Sequence, residues 1–304
     1  MRTRIVSGLM LIGVVVAVLS APAPYFALVL LLIAGACAYE FCAMAQAGGY
    51  QPVRWVAIGG SVLLVLDAYL ESATTHPNLI VADFTVQRGL ALPILLGALL
   101  VSLLWKGTGG QVVQARSNFA AGLPSLVPPS LDRAAVSRIW LDLALTLGCL
   151  LYVGWLLRLG WYVYLDSVWW LAFVILCTAS ADTGAYFSGT RWGKHKMIPW
   201  ISPGKTWEGT IGGILTAIVV AVLFSFGGLI PTLSPLAALL LAAVLAPAAV
   251  LGDLIESMLK RAMGVKDSSH LIPGHGGLLD RLDSIIFALV VVYFYLSASS
   301  LHIL

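Results

Sequence analysis

Charge is what this chain has least of. Lysine, arginine, aspartate and glutamate make up only 10% of its 304 residues, while 60% are hydrophobic and the mean hydropathy is +0.96. A soluble domain carries about 25% charged residues, because a folded surface must be wetted. The shortage excludes a water-covered globule and assigns most of the exterior to lipid. Cysteine is scarce too. Cys37, Cys42, Cys149 and Cys177 lie in or near apolar runs, and CAYEFC has neither CxxC spacing nor a histidine partner. That excludes a zinc or redox site and leaves small buried hydrophobes. A complete phosphate-binding P-loop is also lacking. PGKT ends like GxxxxGK[ST], but Pro199 stands where the first glycine belongs, and no strand is expected before it. GTGGQ at 107–111 lacks the GK[ST] ending.

Long apolar runs, by contrast, are abundant. A helix crosses a bilayer with about 20 mainly apolar residues, and nine candidate spans follow: 5–20, 25–44, 54–70, 89–105, 140–158, 168–187, 209–229, 235–252 and 284–302. MRTRIVSGLMLIGVVVAVLSAPAP has the outline of a signal peptide. Because another apolar run follows at once, a first transmembrane helix is the preferred reading. Pro247 is expected to kink the eighth span. The expected fold is all-α and polytopic, one continuous membrane domain with an N-terminal scaffold (1–160) and a C-terminal catalytic region (161–304).

Orientation follows from the basic residues of the connections. With the N-terminus inside, 15 of the 17 lysines and arginines fall on the cytoplasmic side, and the other side keeps Arg88 and Arg158. The expectation is N-in, C-out. Residues 106–138 are too polar and Pro-interrupted to span and read as a loop or an interfacial helix. Residues 188–208, SGTRWGKHKMIPWISPGKTWE, are basic and aromatic. Interfacial anchoring explains their cations and Trp192, Trp200 and Trp207, but not the rigid ISPGKTWEG.

Chemistry concentrates where the apolar runs end. In GDLIESMLKRAMGVKD, residues Asp253, Glu256, Ser257 and Lys260 fall at i, i+3, i+4 and i+7 and line one helical face. Two carboxylates one turn apart can share a divalent ion; the plainer reading is a salt network at a helix end. KDSSHLIPGHGGLLDRLDS then supplies a glycine turn at Pro273, Gly274, Gly276 and Gly277, followed by Asp280 and Asp283 on one face of the last helix. A helix N-terminus favours acidic residues by its dipole alone. Both together, opposite GDLIES, make a second half of an oxygen-ligand site. Magnesium prefers such a setting, with a few carboxylates, retained water and substrate phosphate.

Lys194, Lys196, Lys205, Lys260, Arg261, Lys266 and Arg281 supply cations in excess of the local carboxylates and suit a polyanion. His270 and His275 are candidates for base or ligand, with a hydrogen bond to the glycine turn as the plainer role. Asp182, near the end of the sixth span, either joins the cluster or caps a turn. A metal to polarise phosphate and cations to hold its charge together point to phosphoryl or nucleotidyl transfer.

SMLKRAMGVKDSSHLIPGHGGLLDRLD, residues 257–283, resembles the signature of the phosphatidate cytidylyltransferases, the CDP-diacylglycerol synthases. GDLIES, ADTGAYFSGTRWGK and ISPGKTWEG resemble other blocks of that family, so the likeness covers about residues 178–285. It implies an inner-membrane enzyme of bacterial type that joins CTP to phosphatidic acid and faces the cytoplasm. It further implies magnesium held chiefly by Asp253 and Asp280, with Asp283 and Asp267 next and Asp182 in support. A second divalent ion or a monovalent cation is compatible with the cluster. Lys260, Arg281 and His275 join the aspartates as catalytic candidates, and Glu256 is a further metal candidate. Ser202, Lys205 and Thr206 would contact substrate phosphate, with Lys194, Lys266 and Arg261 beside them. Gly204 stands where the family more often has lysine. The expected partners are CTP, phosphatidic acid and membrane lipids, with no nucleic acid. Glycine-rich spans leave room for a homo-oligomer. Two rivals fit less well. A CDP-alcohol phosphotransferase would begin DGxxAR, which is absent. A transporter would place polar groups at the membrane midplane on repeated helices.

Overall fold

The computed structural model describes residues 2–74, 91–120, 133–269, 271–272 and 276–300. His270, Pro273, Gly274, His275 and Arg88 lie outside the described residues. The chain forms α1 (Arg2–Leu19), α2 (Ala23–Ala47), α3 (Arg54–Thr74), α4 (Ala91–Ala120) and α5 (Arg133–Cys149). A π-helical segment, Leu150–Trp155, carries α5 into α6 (Leu156–Asp166), and α7 (Val168–Trp192) follows. A hairpin of β1 (Lys196–Ile198) and β2 (Ser202–Thr206) leads to α8 (Trp207–Phe226), α9 (Pro235–Ala262) and α10 (Leu279–Ser300).

Among the described residues, seven helices are long and apolar enough to cross a bilayer: Ala23–Ala47, Arg54–Ala73, Ser137–Asp166, Val168–Trp192, Trp207–Phe226, Pro235–Ala262 and Leu279–Ser299. Two shorter apolar stretches, Met10–Leu19 and Pro93–Lys106, coincide with the first and fourth expected spans. The protein is therefore a polytopic helical membrane protein. Its helix ends follow local chemistry. Ser234 accepts from Ala237 N–H at 3.2 Å with Pro235 in the first turn, the arrangement that satisfies orphan amides at a helix start. Extended backbone at Ser167 separates α6 from α7.

Three expectations change. The polar stretch after residue 105 is helical up to Ala120 as an extension of α4. The segment before α8 is a hairpin, antiparallel with Lys196 opposite Thr206 and Ile198 opposite Ser202, so a strand does precede PGKT, which itself lies in β2. Its strands have three and five residues, too few for an alternating pattern to register. Arg158, expected in a connection, is fully buried. Its Nη2 lies 2.7 Å from Tyr162 Oη and 3.4 Å from both Asp67 and Glu71, a pairing that a charge inside the bilayer requires.

One core unites the two halves of the chain. It runs from Phe26 and Ala34 of α2, through Val153, Trp161 and Phe173, to Leu245 of α9 and Ile286 and Tyr293 of α10. The α9 and α10 helices touch at Gly252, where a Cβ would strike the Asp283 carbonyl oxygen and reach within 3.0 Å of Phe287 Cδ2. That contact brings the acidic stretch of α9 against the start of α10.

Candidate active site

Helical period places the α9 residues as their spacing requires. Ser257 Oγ donates to Asp253 Oδ1 at 3.3 Å, and Lys260 Nζ lies 2.8 Å from Glu256 Oε2. Close packing at Gly252 then adds Asp283. One oxygen each of Asp253, Glu256 and Asp283 lies within 4.8 Å of the others. Glu256 is fully buried and Asp283 nearly so, whereas Asp253 is partly open. Glu256 Oε1 is buried and has no hydrogen-bond partner among the described residues. A buried oxygen left unpaired is costly.

Asp280 is spent differently. Its Oδ1 pairs with Lys260 Nζ at 2.8 Å. Its Oδ2 accepts from Gly277 N–H at 2.8 Å and from Ser268 N–H at 3.0 Å. It therefore ties the loop, α9 and α10 together, and it stands outside the trio of converging oxygens. Asp267 and Lys266 are exposed in the turn after α9, and Asp267 is likewise not among the three.

Asp253 also belongs to a second grouping. Its Oδ2 lies 2.6 Å from Lys205 Nζ, which donates in addition to the Val250 carbonyl at 3.3 Å. Asp182, Gly204, Lys205, Thr206, Thr210 and Asp253 line a cavity of about 220 Å³ between α7, β2, α8 and α9. Small residues make the space, since Ala181, Ala185, Gly209 and Gly213 form part of its wall. The structure thus places Asp182, Lys205 and Thr206 in one cavity wall with Asp253.

The hairpin is held by its neighbours. Arg261 Nε donates to the Ile201 carbonyl at 3.3 Å. Thr206 is buried and accepts from Gly209 N–H at 3.1 Å as the N-cap of α8. A Cβ on Gly193 would come within 2.8 Å of the Thr206 hydroxyl. Glu208 reaches back to the backbone amides of Lys194 and His195, each at 3.2 Å, and to His195 Nδ1 at 2.6 Å. Lys194, Lys196 and the cavity-side Gly204 are exposed, and Ser202 is half-buried. Arg281 is exposed in the first turn of α10.

Sequence reasoning missed Glu40, Glu208 and Gly252. Glu40 is an acid within an apolar span, the kind of residue that is costly unless it has a task. Gly252 precedes Asp253 directly, and its signal was the GD pair itself.

The chain matches the Cytidylyltransferase family over residues 2–299. It is similar to a protein named phosphatidate cytidylyltransferase in Staphylococcus epidermidis, 34% identical over 239 residues, which are 77% of this chain and 90% of the relative. It is similar also to the phosphatidate cytidylyltransferases of Haemophilus influenzae, 50% identical over 129 residues, and of Bacillus subtilis, 47% identical over 121 residues. Those two alignments cover 41% and 40% of this chain and 45% of each relative, so the chain spans under half the length of these two.

Proposed function

The chain belongs to the cytidylyltransferase family, and we propose that it transfers the cytidylyl group of CTP to phosphatidic acid, giving CDP-diacylglycerol and pyrophosphate. The observation that carries the reading is the position of Asp253. It lies at once in the acidic trio and in the wall of the Lys205 cavity. Metal-holding and phosphate-holding groups therefore meet at one side chain.

The trio fits a divalent cation. Its donors are hard oxygens, three of them lie within 4.8 Å of one another, and Glu256 Oε1 has no hydrogen-bond partner among the described residues. Asp253, Glu256 and Asp283 would hold magnesium, which when bound polarises phosphate and offsets its charge. Asp280 and Lys260 keep the two helix ends in place beside it. Lys205, flanked by Ser202 and Thr206, holds phosphate at the cavity, with Asp182 on the facing wall. Lys194, Arg261, Lys266 and Arg281 draw anions to the rim.

In the reaction, an oxygen of the phosphatidate phosphate forms a bond to the α-phosphorus of CTP. The bond from that phosphorus to the bridging oxygen breaks, and pyrophosphate leaves. The attacking oxygen is already anionic, so no strong general base is required, and neither His270 nor His275 is needed in that role. The lysines stabilise the charge that grows on the leaving group.

We read the two shorter apolar stretches as spans also, for nine crossings, N-in and C-out, with the site on the cytoplasmic side of an inner membrane. In support, 15 of 17 lysines and arginines then share the side where CTP is found. The test is radiolabelled CTP with phosphatidic acid in detergent micelles. A labelled CDP-lipid is expected, and its absence with folded protein overturns the reading.

A further inference from the structure

Glu40 lies about two turns from the C-terminal end of α2, and only 2% of it is exposed. Its neighbours Cys37, Ala38, Phe41 and Cys42 are all buried. A carboxylate in such surroundings is costly unless donors surround it. Here they do. Oε1 accepts from Ser269 Oγ at 2.6 Å and from Leu278 N–H at 3.0 Å. Oε2 accepts from Leu279 N–H at 2.8 Å and from Ser268 Oγ at 3.2 Å.

Leu278 and Leu279 open α10, where the first amides of a helix have no partner inside it and the dipole favours negative charge. Helices usually meet that need with a serine or aspartate nearby in the chain. This one uses an acid 239 residues away. The fit is tight, because a Cβ on Gly277 would strike Ser268 Oγ and come within 2.7 Å of Glu40 Oε2. From the other side Asp280 holds the amides of Ser268 and Gly277. Ser268, Ser269, Gly277, Leu278 and Leu279 are thus held by two carboxylates. Asp280 follows one residue after Leu279, and Asp283 sits one helical turn further.

We propose that Glu40 is a positioning residue for the transfer reaction: it caps the last helix from across the bundle and so sets where Asp280 and Asp283 stand. The inference rests on the reading of the acidic trio as a cytidylyltransferase site. It gives the N-terminal half of the chain a share in the chemistry beyond scaffolding. Glu40 touches no reacting atom in this scheme. It acts by holding the backbone that carries the two aspartates.

The test compares Glu40→Gln with the native chain, each purified in detergent, by steady-state kinetics and by amide hydrogen exchange. An amide keeps the size of the side chain but retains only one acceptor oxygen. Misplacing catalytic groups lowers turnover more than binding, so kcat should fall about 30-fold while KM for phosphatidic acid stays within about twofold. Exchange at Leu278 and Leu279 should rise about tenfold, with α8 unchanged. Ser269→Ala should have a mild effect alone and add nothing in the Glu40→Gln background, as partners in one network do.

Should Glu40→Gln not fold, the double variant Ser268→Ala/Ser269→Ala takes its place. It removes two of the four donors, with an expected kcat loss of about fivefold and the same local rise in exchange. Native kcat in either folded variant overturns the proposal. So does a kcat loss without faster exchange at Leu278 and Leu279. Asp253→Asn in the same assay separates the two claims. If that variant turns over normally, the cytidylyltransferase reading of the trio fails, while the exchange result still tests the cap.

Discussion

Lys260 Nζ lies 2.8 Å from Asp280 Oδ1 and the same distance from Glu256 Oε2. One ammonium thus joins the last turn of α9 to the first turn of α10, and it also flanks the acidic trio. Its side chain is 13% exposed, against 8% for Asp280 and none for Glu256. Three ionisable groups this withdrawn from water depend on one another.

Removing the cation should therefore cost both fold and activity. Lys260→Met leaves two carboxylates facing each other in a dry site. Breaking a buried pair from one side costs about 3 kcal/mol. Thermal unfolding in detergent should show the loss, and the transfer assay should show a fall in kcat. An unchanged melting midpoint would mean that the pair contributes little.

Asp280→Asn keeps one acceptor for the loop amides but loses the ion pair to Lys260. The variant should fold, and its cytidylyl transfer should drop by about 100-fold or more, as expected when a residue holding the catalytic geometry is loosened. Near-native turnover of folded, purified protein would contradict this.

Metal removal should silence the enzyme. With EDTA, activity should vanish, and added magnesium should restore it. The ligand assignment has a finer check in Glu256→Gln, which should raise the magnesium concentration needed for half-maximal activity about tenfold or more. Turnover without any divalent ion would rule the mechanism out.

Gly252→Val addresses the contact between α9 and α10. A side chain there has no room beside the Asp283 carbonyl and Phe287, so the helices must part. Overpacking of this kind costs about 1–3 kcal/mol. Activity should fall further than stability, because Asp283 moves away from Asp253 and Glu256. Parallel measurement of unfolding and kcat checks both halves of the statement.

Much of the site was legible because it is local. Asp253, Glu256 and Lys260 share a face by the period of the helix, and the structure keeps them there. The hairpin at 196–206 was not legible. Its strands are short, and β2 itself contains Pro203 and Gly204, residues that do not signal a strand. Arg158 looked like a loop cation because its partners, Asp67 and Glu71, lie in another helix about 90 positions earlier.

The sequence by itself determined the solvent of this protein and the faces of its helices. Hydropathy and helical period are properties of neighbouring residues, and no fold is needed to express them. Only the tertiary structure decided that oxygens of Asp253, Glu256 and Asp283 converge, and that Glu40 caps α10. Those choices depend on how closely two helices approach, at Gly252 and at Gly277. A missing Cβ there sets distances between groups that the chain keeps far apart.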